Sequence, residues 1–273
     1  MQRQNANAKW FALPAPPPQR LDIAGQAYTL LEVFKHDFYA ATALYQPVAA
    51  TLPRAVVKFY RLQGFCGLPM GWVGRRSRER EKLAYRLLAG VEGIPRYLGD
   101  VGANGCAIEY VPAQPLDHCP SVPAEFWPRL RELFDAVHAR GLAYIDANKR
   151  SNILVDQAGR PYLVDFQISL PRRDDLPWPL RSLRALLVRQ FQRKDLYHLY
   201  KHKRRIAPEL LSPQEERLSR RRGILHRLHA FLGKPYRIIR RAFLARQYRR
   251  GKLVSPSAQL EKRIQPEKDS WRK

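Results

Sequence analysis

A chain of 273 residues, 45% of them hydrophobic, holds one large domain or two small ones around a real core. No apolar run approaches the roughly 18–20 residues of a membrane span, and the opening MQRQNANAKWFALPAPPPQR lacks the compact apolar core of a signal peptide. Three widely spaced cysteines, Cys66, Cys106 and Cys119, exclude a disulfide framework and a zinc cluster and point to a reducing, cytoplasmic setting.

The net charge of +25 is uneven: residues 1–171 carry +5 and residues 172–273 carry +20. A basic block of that size attracts a polyanion, whether nucleic acid, an acidic membrane surface or a phosphorylated substrate.

In chain order, residues 1–20, with Pro14 and the run Pro16–Pro18, predict an extended tail outside the core. From Leu21 to Val57 the sequence alternates as short strands do, giving strands at Tyr28–Phe34, Ala41–Tyr45 and Ala55–Phe59. Lys58 lies on the third, in Val56-Val57-Lys58; taken alone, a lysine there is a solvated surface residue. Arg75–Ala89 has helical spacing, with Leu83, Leu87 and Leu88 apolar among charges and Gly90 at its end. On that helix Glu81 precedes Tyr85 and Leu88 by four and seven residues and so faces inward; Glu79 falls off the stripe and is second choice. A strand pair follows, Tyr97–Val101 and Cys106–Tyr110, turning at Ala103-Asn104-Gly105. Pro123–Arg140 is an amphipathic helix with Phe126, Leu130, Leu133, Phe134 and Val137 on one face and Gly141 at its end; His138 on it is a packing or surface residue.

The stretch from Tyr144 to Gln167, YIDANKRSNILVDQAGRPYLVDFQ, organises the rest. Its apolar runs Ile153–Val155 and Tyr162–Val164 flank a turn containing Gly159 and Pro161, which predicts a β-hairpin. The ends of an antiparallel hairpin meet, so Asn152 and Asp165 fall side by side with Asp146 nearby. Oxygen-bearing side chains so grouped suit a hard cation such as Mg²⁺ held against phosphate. Each of the three, taken singly, is also an ordinary turn residue.

The combination resembles the catalytic core of protein-kinase-like phosphotransferases, over about Leu21 to Leu170. The resemblance implies an α+β, two-lobed fold: an antiparallel-sheet N-lobe at 21–110, a reduced helical C-lobe at 111–205, and a basic extension at 206–273. It implies ATP and Mg²⁺ as cofactors, with Asp146 orienting the acceptor hydroxyl and Asn152 and Asp165 holding the metal. Lys58, positioned by Glu81, would hold the phosphates, and Lys149 would neutralise the γ-phosphate in transit; Asp195 would either anchor the catalytic loop or lie on the surface next to Lys194. Ala107–Pro112 resembles a hinge, in which the Glu109 carbonyl and the Val111 N–H take the adenine beside Ile108. The sequence departs from the pattern in four places, one of them Tyr144-Ile145 where the family has the H-R before the catalytic Asp. Five residues, Ala147–Ser151, separate Asp146 from Asn152 where the family has four. Gln167 replaces the D-F-G glycine, and the segment in place of the glycine-rich loop, Lys35–Thr42, has no glycine, though Ala40 and Ala41 would permit close approach and Lys35 would add a charge.

Beyond Leu170 no A-P-E-like segment follows. Ser182–Tyr200 predicts a helix, on which His198 and His202 read as surface residues. Leu218–Leu253 interleaves arginines with apolar residues and suits an anionic membrane surface or packing on the C-lobe; residues 254–273 are polar and expected to be disordered. The chain is similar to bacterial lipopolysaccharide-core sugar kinases and RIO-type atypical kinases. The expected function is phosphate transfer to a lipopolysaccharide-type sugar or another membrane-proximal glycolipid. The expected setting is the cytoplasmic face of the membrane, the expected state a monomer, and nucleic acid the lesser partner. A Ser/Thr protein kinase is the first alternative; a pseudokinase or basic nucleic-acid-binding scaffold is the second.

Overall fold

The computed structural model describes residues 10–65, 68–220 and 254–261, with Ala242 and Arg246, so Cys66 and most of the basic stretch 218–253 lie outside the described residues. The chain forms two compact units, one from Met1–Arg78, Leu98–Tyr110 and Arg222–Lys273, the other from Glu79–Tyr97 and Val111–Arg221.

The first unit is a six-stranded sheet of β1 (Arg20–Ile23), β2 (Gln26–His36), β3 (Ala40–Pro47), β4 (Ala55–Tyr60), β5 (Tyr97–Val101) and β6 (Gly105–Glu109), ordered β1-β2-β3-β4-β6-β5. Strand alternation sorts its side chains. Ala55, Val57 and Phe59 of β4 share a face with Ala41, Ala43 and Tyr45 of β3 and Ala107 of β6, forming a core closed by Ile23, Tyr28 and Val33. Val56, Lys58 and Tyr60 take the opposite face.

The N-terminal stretch does not stay outside this core as its prolines predict. Phe11 and Ala12 are buried, because the buried guanidinium of Arg61 donates to the carbonyls of Phe11 (3.0 Å) and Phe38 (3.1 Å) while lying over the Phe38 ring. The sequence 254–261 is ordered too, contrary to expectation: Glu261 bridges Val33 in parallel, and Ser257 is fully buried. His36 ties both stretches down. Its Nε2 accepts the Leu13 N–H at 3.2 Å, so Nδ1 carries the proton and donates to Ser257 Oγ at 2.9 Å. Burial lowers the His36 pKa to about 4, keeping it neutral.

The helix α1 (Gly71–Leu87) runs from the first unit into the second. The second unit continues with β7 (Ala113–Pro115), α2 (Phe126–Ala139), β8 (Leu142–Ala143), two single 3-10 turns, β9 (Ile153–Asp156), β10 (Pro161–Leu163) and β11 (Leu170–Pro171). It closes with α3 (Trp178–Ile206) and α4 (Pro213–Arg220). β7, β9 and β10 form one small sheet, and β8 and β11 another.

The core of this unit is the predicted face of α2, Phe126, Leu130, Leu133, Phe134 and Val137, with Trp127 added. Gly141 ends the helix at φ +72°, a conformation open to glycine at little cost, and its N–H bonds the His138 carbonyl at 2.9 Å. α3 extends beyond the predicted Ser182–Tyr200 at both ends, since prolines at its start occupy a first turn whose N–H groups need no helical partner. Residues 207–220 fold back along it, with Lys203 bonded to Glu215 at 2.8 Å. Among the described residues no helix is long and apolar enough to cross a membrane.

Candidate active site

The hairpin forms as the sequence predicts, with Ile153 opposite Leu163 and Val155 opposite Pro161. Asp156 shapes its turn by accepting the N–H groups of Ala158 (2.9 Å) and Arg160 (2.8 Å). Gly159 sits at φ +71°, where a Cβ would come within 2.7 Å of Pro123. At the open end the Val164 N–H donates to the Asn152 carbonyl at 3.1 Å, so the residue before Asp165 is bonded to Asn152.

Asp146 and Asn152 occupy the two 3-10 turns, Asp146–Asn148 and Arg150–Asn152, between β8 and β9. Both are buried. Asn152 Nδ2 donates to Asp146 Oδ2 at 2.9 Å, which leaves the amide oxygen of Asn152 as its acceptor, and Lys149 Nζ reaches the same carboxylate oxygen at 2.6 Å. The extra residue in this loop is thus absorbed as a second 3-10 turn, and Lys149 still faces Asp146. Burial pushes the Asp146 carboxyl pKa up, opposed by Lys149 and reinforced by the charge of Asp165.

The backbone is held in unusual conformations on both sides of this cluster. Ile145, a β-branched residue, has φ +71°, and Asp165 has φ +65°. Fully buried Asp195 on α3 holds the first of these, accepting the N–H groups of Tyr144 and Ile145, each at 2.8 Å, and facing His138 Nε2 at 3.1 Å. It is the anchor the resemblance implies, and His138 is its partner. Gln167 is absent from the positive-φ positions, so its backbone asks for no glycine.

Tyr144 stands where the family has the histidine of its H-R-D motif. Its one hydroxyl proton is shared between the carbonyls of Val164 and, more distantly at 3.3 Å, Asn152, tying the loop to the residue before Asp165. Burial, then the charges of Asp165, Asp146, Asp195 and Glu81, push its phenol pKa well up, so it remains a donor. Phe166 is buried edge-on to both Tyr144 (5.0 Å) and Tyr85 of α1 (5.2 Å). Glu81 is buried on the face of α1 that carries Tyr85 and leads on to Leu88 just past its end, whereas Glu79 is exposed.

Sequence reasoning missed one residue here. His202 is not on the surface but buried, its Nε2–H donating to the Ala147 carbonyl at 2.8 Å, next to Asp146. Burial lowers its pKa to about 4, with Lys201, Arg150 and Arg205 acting the same way. Its position seven residues after Asp195 puts both on one face of α3, which is the signal that could have found it. His198 is half-buried.

The remaining residues belong to the first unit or its border. Lys58 is half-buried on β4, paired with Thr42 and Cys106, on the sheet face opposite the core; its Nζ lies 5.5 Å from the Tyr60 ring centroid. Glu109 ends β6, and Val111 opens the second unit with its carbonyl accepting the Ala113 N–H at 2.9 Å.

The segment Lys35–Thr42, without a glycine, links two paired strands. It is a tight β2–β3 turn in which Asp37 Oδ1 takes the N–H groups of Tyr39 (2.8 Å) and Ala40 (3.0 Å), and Lys35 pairs with Asp37 Oδ2 at 2.8 Å. Although burial opposes it, Lys35 and those N–H groups hold the Asp37 carboxyl below its usual pKa. The donors that a glycine-rich loop offers to phosphate are here taken by a carboxylate of the chain itself.

No protein-family model matches the chain, and no curated protein does. Among solved structures it is similar to the Rio2 kinase of Chaetomium thermophilum in an ADP/Mg²⁺-phosphoaspartate complex, with a TM-score of 0.51 and 16% identity over 67% of this chain and 58% of that one. A second structure of the Rio2 kinase from Chaetomium thermophilum gives 0.50 and 16% over 69% and 62%. The chain thus spans less than two thirds of the length of either. The fold is protein-kinase-like, α+β, with an antiparallel-sheet N-terminal part and a helical C-terminal part.

Proposed function

We propose that the chain is an ATP- and Mg²⁺-dependent phosphotransferase acting on a hydroxyl acceptor, the acceptor being a lipopolysaccharide-type sugar or another membrane-proximal glycolipid. The observation that carries the reading is the hydrogen-bonded group of Asp146, Lys149 and Asn152, with Asp165 brought alongside by the Val164–Asn152 bond.

The donor set fits Mg²⁺. The amide oxygen of Asn152 and the carboxylate of Asp165 are hard ligands, and Mg²⁺ in nucleotide sites takes one or two carboxylates and completes its shell with water and phosphate oxygens. Among the described residues no cluster of three His, Cys, Asp or Glu side chains offers a rival cage. When bound, the ion would draw negative charge from the transferring phosphoryl group. Asp146 would accept a hydrogen bond from the acceptor hydroxyl and aim it for in-line attack. Lys149, half-exposed beside it, would face the charge that develops, and Lys58, with Glu81, would hold the remaining phosphates. The Glu109 carbonyl and Val111 N–H would take the adenine. The glycolipid acceptor is supported by the cationic C-terminal third and by the absence of an A-P-E-like segment in the sequence.

One observation favours a second reading, a pseudokinase or scaffold: the β2–β3 turn spends the Tyr39 and Ala40 N–H groups on Asp37. Thermal unfolding with and without Mg²⁺ and ATP separates the two. A phosphotransferase is stabilised by ATP only when Mg²⁺ is present, and Asp165→Ala abolishes the shift. Asp146→Ala keeps the shift and loses about 10²–10⁴-fold in transfer. A native chain that ignores ATP yet binds RNA tightly and salt-sensitively would establish the scaffold.

A further inference from the structure

The first ten residues of α3, Trp178–Leu187, are the outlier of the second unit. Val188 is the first residue on this 29-residue helix to be buried, and everything before it is exposed or half-exposed. At ~1.5 Å per residue that is about 15 Å of helix on which no side chain is fully buried. It is not a polar stretch. Trp178 is 73% exposed and Leu183 53%, and Leu180, Leu186 and Leu187 are exposed as well. Leu180, Leu183 and Leu187 have i, i+3, i+7 spacing and so line one stripe. Exposed Arg181 and Arg189 fall on the other side of the helix. The helix begins only seven residues after β11, in the segment that leads directly from Asp165.

A leucine stripe left in water needs an occupant, and charge decides which. A second copy would bring another helix flanked by the same arginines, on a chain of net charge +25, and the basic stretch 218–253 carries charge of the same sign. Nucleic acid would satisfy the arginines but offer the leucines nothing. An anionic bilayer meets both: lipid tails accept the stripe while headgroup phosphates accept the arginines.

We propose that Trp178–Leu187 is a membrane-docking helix, which lays Leu180, Leu183 and Leu187 into the interface of an anionic bilayer. The contact deepens the reading of a membrane-proximal glycolipid acceptor, on which it rests for its purpose. It gives the second unit, which carries Asp146, its own hold on the surface where such an acceptor lies.

The test is sedimentation of the full chain with vesicles of phosphatidylcholine alone and of phosphatidylcholine with one-third phosphatidylglycerol. The native chain is expected to partition onto the anionic vesicles and to be released by salt. Leu183→Asp with Leu187→Asp should weaken partition by at least about tenfold, because each leucine withdrawn from the interface is worth that much or more. Arg181→Glu with Arg189→Glu should do the same on anionic vesicles only. All four positions are exposed, and an unchanged melting temperature and ATP-dependent shift confirm that the variants are folded. The proposal is overturned if the double leucine variant sediments like the native chain, which would place the contact elsewhere, including 218–253. It is equally overturned if the native chain ignores anionic vesicles, or forms a dimer that the leucine variant abolishes. A native chain that shows the ATP shift but ignores anionic vesicles sinks this inference alone; a native chain that binds them but shows no ATP shift sinks the phosphotransfer reading alone.

Discussion

Ile145 shows what a single residue asks of its neighbours. A β-branched side chain at φ +71° carries strain on the order of 1–3 kcal/mol, and it persists because Asp195 holds the consecutive N–H groups of Tyr144 and Ile145. The distortion turns the chain sharply just before Asp146, so that its carboxylate meets Asn152 and Lys149. Replacing Asp195 by Ala strands those donors; each orphaned buried group costs about 1–3 kcal/mol, and urea unfolding should show the loss. Asp195→Asn keeps one acceptor oxygen and should cost less. Asp146, Asn152 and Asp165 were legible in the sequence because their spacing follows from a hairpin, a local object. His202 was not, since a histidine on a basic helix looks solvated until the helix is known to lie behind the loop.

The same contrast holds among elements. The strands β2, β3 and β4 and the inward face of α2 could be read from periodicity alone, because alternation and 3.6-residue spacing are imprinted by one buried side. The β2–β3 turn could not be read by analogy: nothing in Lys35–Thr42 announces that Asp37 will take the turn's own N–H groups. In the β9–β10 turn the requirement is explicit. Gly159→Ala places a methyl against Pro123 in a left-handed conformation, and should cost about 1–2 kcal/mol with the hairpin otherwise retained, measurable by calorimetry. The packing of α3 against the Asp146 loop has a pH signature. His202 binds its proton only near pH 4 in the native chain, whereas in the unfolded chain it does so near 6.5. Between those values the unfolded state binds more protons, so stability is full above about pH 6.5 and falls as the pH drops towards 4, by on the order of 3 kcal/mol. His202→Gln, which can still donate to the Ala147 carbonyl, should flatten that slope by nearly one proton in equilibrium unfolding followed from pH 7 to 4.

At the scale of the whole molecule, charge and composition foretold a basic C-terminal third. They could not foretell that part of it returns to the sheet. Residues 254–261 look like polar filler because their burial depends on Val33 and His36, more than two hundred residues away. Local pattern is blind to a partner at that distance, as it was to the hold of Arg61 on Phe11. The imidazole of His36 accepts from Leu13 on one nitrogen and donates to Ser257 on the other, so one ring fastens two stretches more than two hundred residues apart. Trimming either end is therefore surgery on the sheet. A chain stopped after Leu253 leaves a buried N–H of His36 without its acceptor, at about 1–3 kcal/mol, while a chain begun after Leu13 takes away the donor that fixes the ring's tautomer. Melting curves of the two shortened forms and of the doubly shortened one should show losses that fail to add, as two hands letting go of the same rope.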